Sequence, residues 1–422
     1  MRRSAAPAWL ALALGLITTG AAHAMSLPDA IALARKSNPT LAQRQDELAA
    51  AQARVAQADA GRMPTVTLVG QVGVGSADLG GFFGIGRSTI HPEQATVEVR
   101  QPLFAGGAIN AAIDRARAAR AAAREDVAAS RAELTTGVAD AYVAVVDARE
   151  RVHLIDAEAV QVQTFVDQAR QRFRSGEVPR TDLSEAEARL AELRAGQAEA
   201  QANVLRAEAH FQSVVGQAAD QLDPPKAPAL TVASLDEAAA AAERGNPALL
   251  SAQANLQAAD AAVRGAEAGR YPTLALTGNA GTVRDQFFPG YRNTGYAVGI
   301  EGRWTLFSGG LVSGQIDEAR ANRAAAEAGL RAARDKVRDA VVSAWQDVLV
   351  AQSLVQAARD QAEAAGQALD SVTQEVRVGQ KGMLDLLTAE RESLAARSTL
   401  ISAQGNAVVA AYRLNSLVDT AP

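Results

Sequence analysis

The chain has 422 residues, 42 Lys and Arg against 47 Asp and Glu, a net charge of −5 and no cysteine. The acidic balance argues against a nucleic-acid partner, and the missing thiols exclude a disulfide framework or a lipid-bearing cysteine. Aromatic residues are only 4% while alanine is abundant, which suits long helices packed at close range rather than one large aromatic core.

Residues 1–24 read as a Sec-type signal peptide: Arg2 and Arg3, a short apolar run over Ala8–Ile17, and Ala22-His23-Ala24 as an A-x-A cleavage site. The mature chain is expected to begin near Met25, its charge falling from −5 to −7 as the two arginines leave. No later stretch reaches the roughly 18 apolar residues of a spanning helix, so a membrane-embedded form would have to be a β-barrel.

From there the chain is written twice. Ser26–Gly73 aligns without a gap on Ser234–Gly281, with 23 identities in 48 positions. Later segments match as well: Gln101–Gly107 with Trp304–Gly310, and Phe173–Gly176 with Val376–Gly379. The expected organisation is a first repeat over 25–217, a Pro-rich linker over 218–233 and a second repeat over 234–422, each repeat a duplicated structural unit.

Within a repeat the expected order is helix, strand, strand, long helix, turn, helix. Asn38-Pro39 fits a helix start, Asn as cap and Pro at the first position, running to about Ala60. Strands follow over Thr65–Gly75 and Thr96–Leu103. Val66, Leu68 and Val72, then Val97, Val99 and Leu103, lie on one face; Thr65 and Thr67, then Glu98 and Arg100, lie on the other. The second repeat sets Tyr296, Val298 and Ile300 against Glu301 and Arg303. A charged face of this kind is either solvated or lines a wet barrel lumen. The segments are about 10–12 residues long, enough for a tilted strand to cross a bilayer. The loops 77–94 and 284–293 would then lie outside the cell, the first with Phe82 and Phe83 beside two glycines. Tyr291, Tyr296, Trp304, Phe104 and Phe307 fall near strand ends, as interfacial girdles or as packing at strand–helix junctions.

After Phe104–Gly107 the period becomes helical for about 65 residues, near 100 Å at 1.5 Å per residue. Val138, Val145, Val152, Ala159 and Val166 hold one heptad position, and Leu134, Ala141, Ala148, Ile155 and Val162 the other. The helix turns near Phe173–Gly176 and returns over Leu183–Gly216; the second copy repeats this over Gly310–Val376 and Met383–Ser416. Four strands cannot close a barrel, since single-chain barrels begin at about eight, so closure requires several copies.

The NP-x-L helix start, the AGR-x-P strand entry, the LF-x-GG junction and the R-x-G turn six residues before an Asp, each present in both halves, resemble the TolC family of outer-membrane channel proteins. The resemblance spans essentially the whole mature chain. It implies a mainly α fold with a membrane β part: a homotrimer with a twelve-stranded transmembrane β-barrel in the outer membrane and an α-helical coiled-coil tunnel in the periplasm. It implies an exit duct of a tripartite efflux pump or type I secretion system, docked on a periplasmic adaptor coupled to an inner-membrane pump, ABC or proton-driven. The gate would lie at the turns Arg174–Leu183 and Arg377–Leu386. Asp385 matches an acidic ring, Thr388 stands where the family has a second acidic residue, Lys381 and Asp182 match a basic–acidic tie, and Val376 replaces a gating Tyr. Arg174, Gly176, Arg377 and Gly379 mark the adaptor-docking turns.

An enzyme is not expected. The histidines, His23, His91, His153 and His210, show no ligand or triad spacing, and no phosphate loop or catalytic carboxylate pair is present, so neither cofactor nor metal is implied. A periplasmic adaptor is the alternative binding-module reading, but it would carry one hairpin rather than two and no bilayer-length strands.

Overall fold

The computed structural model describes residues 24–78, 80–81 and 86–418; the signal-peptide reading, save Ala24, and Phe82 and Phe83 lie outside them. The helices are α1 (Leu27–Ser37), α2 (Pro39–Ala60), α3 (Ala108–Arg174), α4 (Arg180–Val215), α5 (Leu235–Gly245), α6 (Pro247–Glu267), α7 (Leu311–Arg377) and α8 (Met383–Val418). The strands are β1 (Thr65–Val72), β2 (Gly75–Ala77), β3 (Ser88–Ile90), β4 (Glu93–Phe104), β5 (Thr273–Arg284) and β6 (Arg292–Arg303).

Both halves follow the expected order, with three corrections. Each repeat opens on an extra short helix, α1 or α5. In α5 the Ser234 hydroxyl accepts from the Glu237 amide while the Glu237 carboxylate accepts from the Ala233 amide, fixing the first turn. The first predicted strand breaks after Val72, and its continuation pairs separately as β2 with β3. The returning helix α4 starts at Arg180, three residues before the expected Leu183. The caps at Asn38 and Asn246 form as expected: Asn38 Oδ1 accepts from Thr40 and Leu41, and Asn246 Oδ1 from Ala248.

The chain forms two compact units that cut across the repeats, each drawing on both. One holds the described residues through Ala34, Val138–Lys226 and Ala364–Gly405, and so contains both helical hairpin ends. Its core joins Val162 and Val166 of α3, Leu190 of α4, Leu369 and Val376 of α7 and Leu386 of α8. The start of the linker is fastened here: the buried Tyr142 hydroxyl lies 2.7 Å from the carbonyls of both Met25 and Asp223 and shares its proton between them.

The other unit holds Arg35–Gly137, Ala227–Glu363 and the described residues from Asn406. Its helical core gathers Ala238 and Ala242 of α5, Val341, Ala344 and Val348 of α7 and Leu414 of α8. Its sheet is antiparallel, in the order β1-β4-β5-β6, leaving β1 and β6 as open edges.

Two strands of that sheet, β4 and β6, lead into the long helices α3 and α7 through a glycine pair. Gly106 and Gly107 have φ of 60° and 92°, and Gly309 and Gly310 repeat this at 62° and 89°. At Gly106 a side chain would also collide: a Cβ there would sit 2.7 Å from the Ala268 carbonyl oxygen and 2.8 Å from Tyr271 Cβ, whereas at Gly107 it would meet open space. Alanine at Gly107 should therefore cost only the left-handed backbone, about 1–2 kcal/mol. Alanine at Gly106 should add an overpacking penalty of about 1–3 kcal/mol. Urea midpoints of the two detergent-solubilised variants, read by circular dichroism, test this; equal shifts would contradict it.

Candidate functional site

Two polar constellations stand out, one on the sheet and one at the hairpin ends. On the sheet, cross-strand register sorts the side chains. Val66 faces Val99 and Leu68 faces Val97; across the next pairs, Leu276 faces Ile300 and Ala280 faces Tyr296. This face is open: Val72 is 82% exposed and Tyr296 84%. Left in water, each large residue would forfeit about 1.5–3 kcal/mol of burial, and a contiguous patch of this kind marks a membrane or protein contact. Twelve-residue strands such as β4, β5 and β6 extend about 40 Å, which at a tilt near 45° covers a hydrocarbon core of about 30 Å.

The opposite face carries the charges. Arg100 Nη1 meets Glu301 Oε2 at 3.1 Å, and Arg303 Nη2 meets Glu301 Oε1 at 3.3 Å. Residues 201 apart in sequence are thus joined across β5. Glu98 shares this face, in register with Thr67 and Asn279. The sequence pairs Glu98 with Arg100 and Glu301 with Arg303; the fold keeps the second pair and brings Arg100 to Glu301 as well.

At the hairpin ends, α3 and α7 stop in the same way. The Gly176 amide donates to the Phe173 carbonyl and the Glu177 amide to Arg172; likewise Gly379 donates to Val376 and Gln380 to Glu375. These are paired Schellman turns, and they require a left-handed residue after the helix. Gly176 and Gly379 supply it, with φ of 75° and 79°. The glycine of each R-x-G therefore shapes the turn. The arginines Arg174 and Arg377 are exposed, and neither enters an ion pair among the described residues.

The two aspartates beyond the turns behave differently. Asp385 is the third residue of α8, and its Oδ2 accepts from the Gly382 amide at 3.1 Å, closing the helix start. Asp182 is the third residue of α4, but the residue preceding that helix is Pro179, which has no amide hydrogen to give, and no side-chain cap forms there. Thr388 is exposed, its hydroxyl donating to the Leu384 carbonyl at 2.8 Å. Lys381 pairs with Glu375 of its own hairpin, Nζ to Oε2 at 2.8 Å, and hydrogen bonding to that carboxylate raises the ammonium above its ordinary pKa. Val376, which the resemblance sets where a gating Tyr is expected, is buried in the core of the hairpin unit. Nothing in either constellation arranges a nucleophile with a base, and no metal-binding cluster occurs among the described residues.

Comparison with known proteins agrees with this geometry. Residues 30–217 and 238–419 match the outer membrane efflux protein family, one stretch for each repeat. The outer membrane efflux protein BepC of Brucella suis biovar 1 (strain 1330) is 31% identical over 321 residues, 75% of this chain and 70% of its own length. The outer membrane protein TolC of Escherichia coli (strain K12) is 25% identical over 308 residues, 68% of this chain and 61% of its own. The crystal structure of the outer membrane protein VceC from Vibrio cholerae shares the fold, with a TM-score of 0.80 over 93% of this chain and 95% of that one at 21% identity. Both repeats match the channel family, so the adaptor alternative is set aside. With a sheet apolar on one side and charged on the other, and with both halves matched, the chain belongs to the outer membrane efflux protein family, as a passive channel of the Gram-negative outer membrane and not an enzyme.

Proposed function

We propose that three copies of this chain join through the open edges of β1 and β6 into a twelve-stranded barrel, the exit duct of a tripartite efflux pump or type I secretion system. The observation that carries this reading is a four-stranded sheet with one exposed apolar face, one charged face and two unpaired edges. Two copies would give eight strands and a lumen filled by side chains; three give twelve and leave a passage. The apolar face then meets lipid, and Glu98, Arg100, Glu301 and Arg303 line the lumen. Cross-linking across the β1–β6 edges, with heat-modified migration on gels, tests the assembly: a band of three chains is expected, and a cross-linked dimer alone would overturn it.

The hairpin ends take the other two roles. Asp385 gives a narrow passage its negative charge; Thr388 contributes none, so selectivity rests on one acidic ring. Lys381 and Asp182 tie the closed ends in the assembled channel. The exposed Arg174 and Arg377, held out by the turns at Gly176 and Gly379, meet the periplasmic adaptor, which connects the duct to an inner-membrane pump.

Asp385→Asn keeps an acceptor for the Gly382 amide while deleting the charge. It should lower the cation-over-anion permeability ratio of reconstituted channels severalfold without loss of folded protein; an unchanged reversal potential would contradict the role. Charge reversal at both Arg174 and Arg377 should weaken adaptor capture about tenfold or more, since removing an interfacial charge partner costs about 2 kcal/mol or more. Surface-immobilised channel titrated with purified adaptor reads this directly, and wild-type affinity would exclude these turns as the docking points.

A further inference from the structure

The hairpin unit buries a charged cluster that neither the tips nor the sheet uses. Glu390 of α8 is 0% exposed, and Arg189 of α4, 5% exposed, grips it twice: Nε to Oε2 at 2.8 Å and Nη2 to Oε1 at 3.0 Å. The third nitrogen of Arg189 pairs with Glu192 at 2.8 Å, and Arg391 reaches the same Glu192 at 3.2 Å. Glu158 of α3, 4% exposed, lies against Glu390, within reach of a hydrogen bond if one of the two carboxyls carries a proton. Its Oε1 is buried with no hydrogen-bond partner.

This arrangement does not tolerate full ionisation. One buried guanidinium faces two buried carboxyls and is already committed to Glu390 and Glu192. An ionised carboxylate with an orphaned buried oxygen is costly, and two carboxylates in contact do not both stay charged. A single proton on Glu158 answers both: its O–H donates to Glu390, and the remaining oxygen is a neutral carbonyl. The charged groups facing Glu158 are Glu390 and the exposed Arg397 from α8 and Arg189 from α4. From α7, the surrounding core takes the apolar Leu369, Val372 and Val376. Glu390 lies five residues after Asp385, about 7.5 Å along the same helix.

We propose that Glu158, Glu390 and Arg189 form a proton-sensitive latch, which holds α3, α4 and α8 together next to the hairpin tips while Glu158 is protonated and loosens them when that proton leaves. Burial first, then the hydrogen bond and charge of Glu390, push Glu158 from 4.5 up to about 8. The folded unit therefore keeps a proton that the open chain gives up near 4.5. The latch contributes fully below that pH, and its contribution declines as pH rises toward about 8. External pH, which the periplasm follows, would set how readily the hairpins open.

The test is amide hydrogen exchange of the full chain in detergent, followed over the segments around Glu158, Arg189 and Glu390 and corrected for intrinsic chemistry. Opening of these segments should rise about tenfold per pH unit between roughly pH 5 and 7, the slope of one linked proton. Glu158→Gln, which keeps a donor toward Glu390 but cannot titrate, should flatten that slope. A flat parent, or a Gln variant with the parent's slope, overturns the latch. Should the variant not fold, the parent alone decides: infrared spectra should show a protonated carboxylic acid carbonyl at about pH 6 that vanishes well above pH 8, and no such band at pH 6 would also overturn it. These readouts are local to one chain, so they stand or fall separately from the number of copies in the barrel.

Discussion

Backbone hydrogen bonding in a solvent without water governs this structure. A hydrocarbon interior leaves no partner for an unpaired N–H or C=O, so spanning β-structure has to be closed. Here the sheet has four strands, and duplication supplied two of them from each half. A closed ring from four is geometrically excluded, so in the proposed assembly copies of the chain meet along β1 and β6. The register that puts Val97 opposite Leu68 and Glu98 opposite Thr67 then fixes which face the proposed ring turns outward. A slip of one residue would send Glu98 and Arg100 to lipid, at a cost of about 2–4 kcal/mol for a cation at the midplane.

At the hairpin ends the constraint differs. A 67-residue helix must reverse within five residues without leaving carbonyls unsatisfied. The Schellman turns at Gly176 and Gly379 close both helices through backbone bonds, joined at the first by the Ser175 hydroxyl, which donates to the Arg172 carbonyl at 3.0 Å. The arginines at the two helix ends are thereby released from capping the long helices. Arg174 and Arg377 stay exposed, which a turn built on side-chain caps would not permit so readily.

Much of this was legible from residues alone because duplication shows each signal twice. The caps at Asn38 and Asn246, the strand faces and the glycine junctions all carry local chemistry that one repeat confirms in the other. What escaped has physical causes. Reading Asn38-Pro39 as the first helix start passes over α1, although Leu27, Ala30, Ile31 and Ala34 share one helical face and are all buried; a strong cap signal hides a short helix placed just before it. The break after Val72 depends on Gly73 bonding to Pro92 across the hairpin, a pairing that strand alternation does not encode. Glu158 sits beside the heptad seam, where a two-helix picture expects solvent. It is buried because α4 and α8 also cover α3 at that height, and no pattern within α3 reports a third neighbour.

The repeats also diverge where the sequence still looks symmetric. Glu187 of α4 and Glu390 of α8 occupy equivalent places, eleven residues beyond Gly176 and Gly379. Glu187 is exposed and pairs with Arg170 at 3.0 Å, while Glu390 is fully buried on Arg189. Likewise Asp385 closes its helix on Gly382, whereas Asp182 follows Pro179 and cannot. The exposed Arg170–Glu187 pair lies within one hairpin and is worth about 0–1 kcal/mol, whereas the buried Arg189–Glu390 pair runs from one hairpin to the other. Separating the hairpins, whichever of them moves, breaks that buried pair and leaves an uncompensated charge, about 3–5 kcal/mol. The divergence of Glu390 from Glu187 therefore couples the two hairpins to each other, since the cost of parting them falls on both.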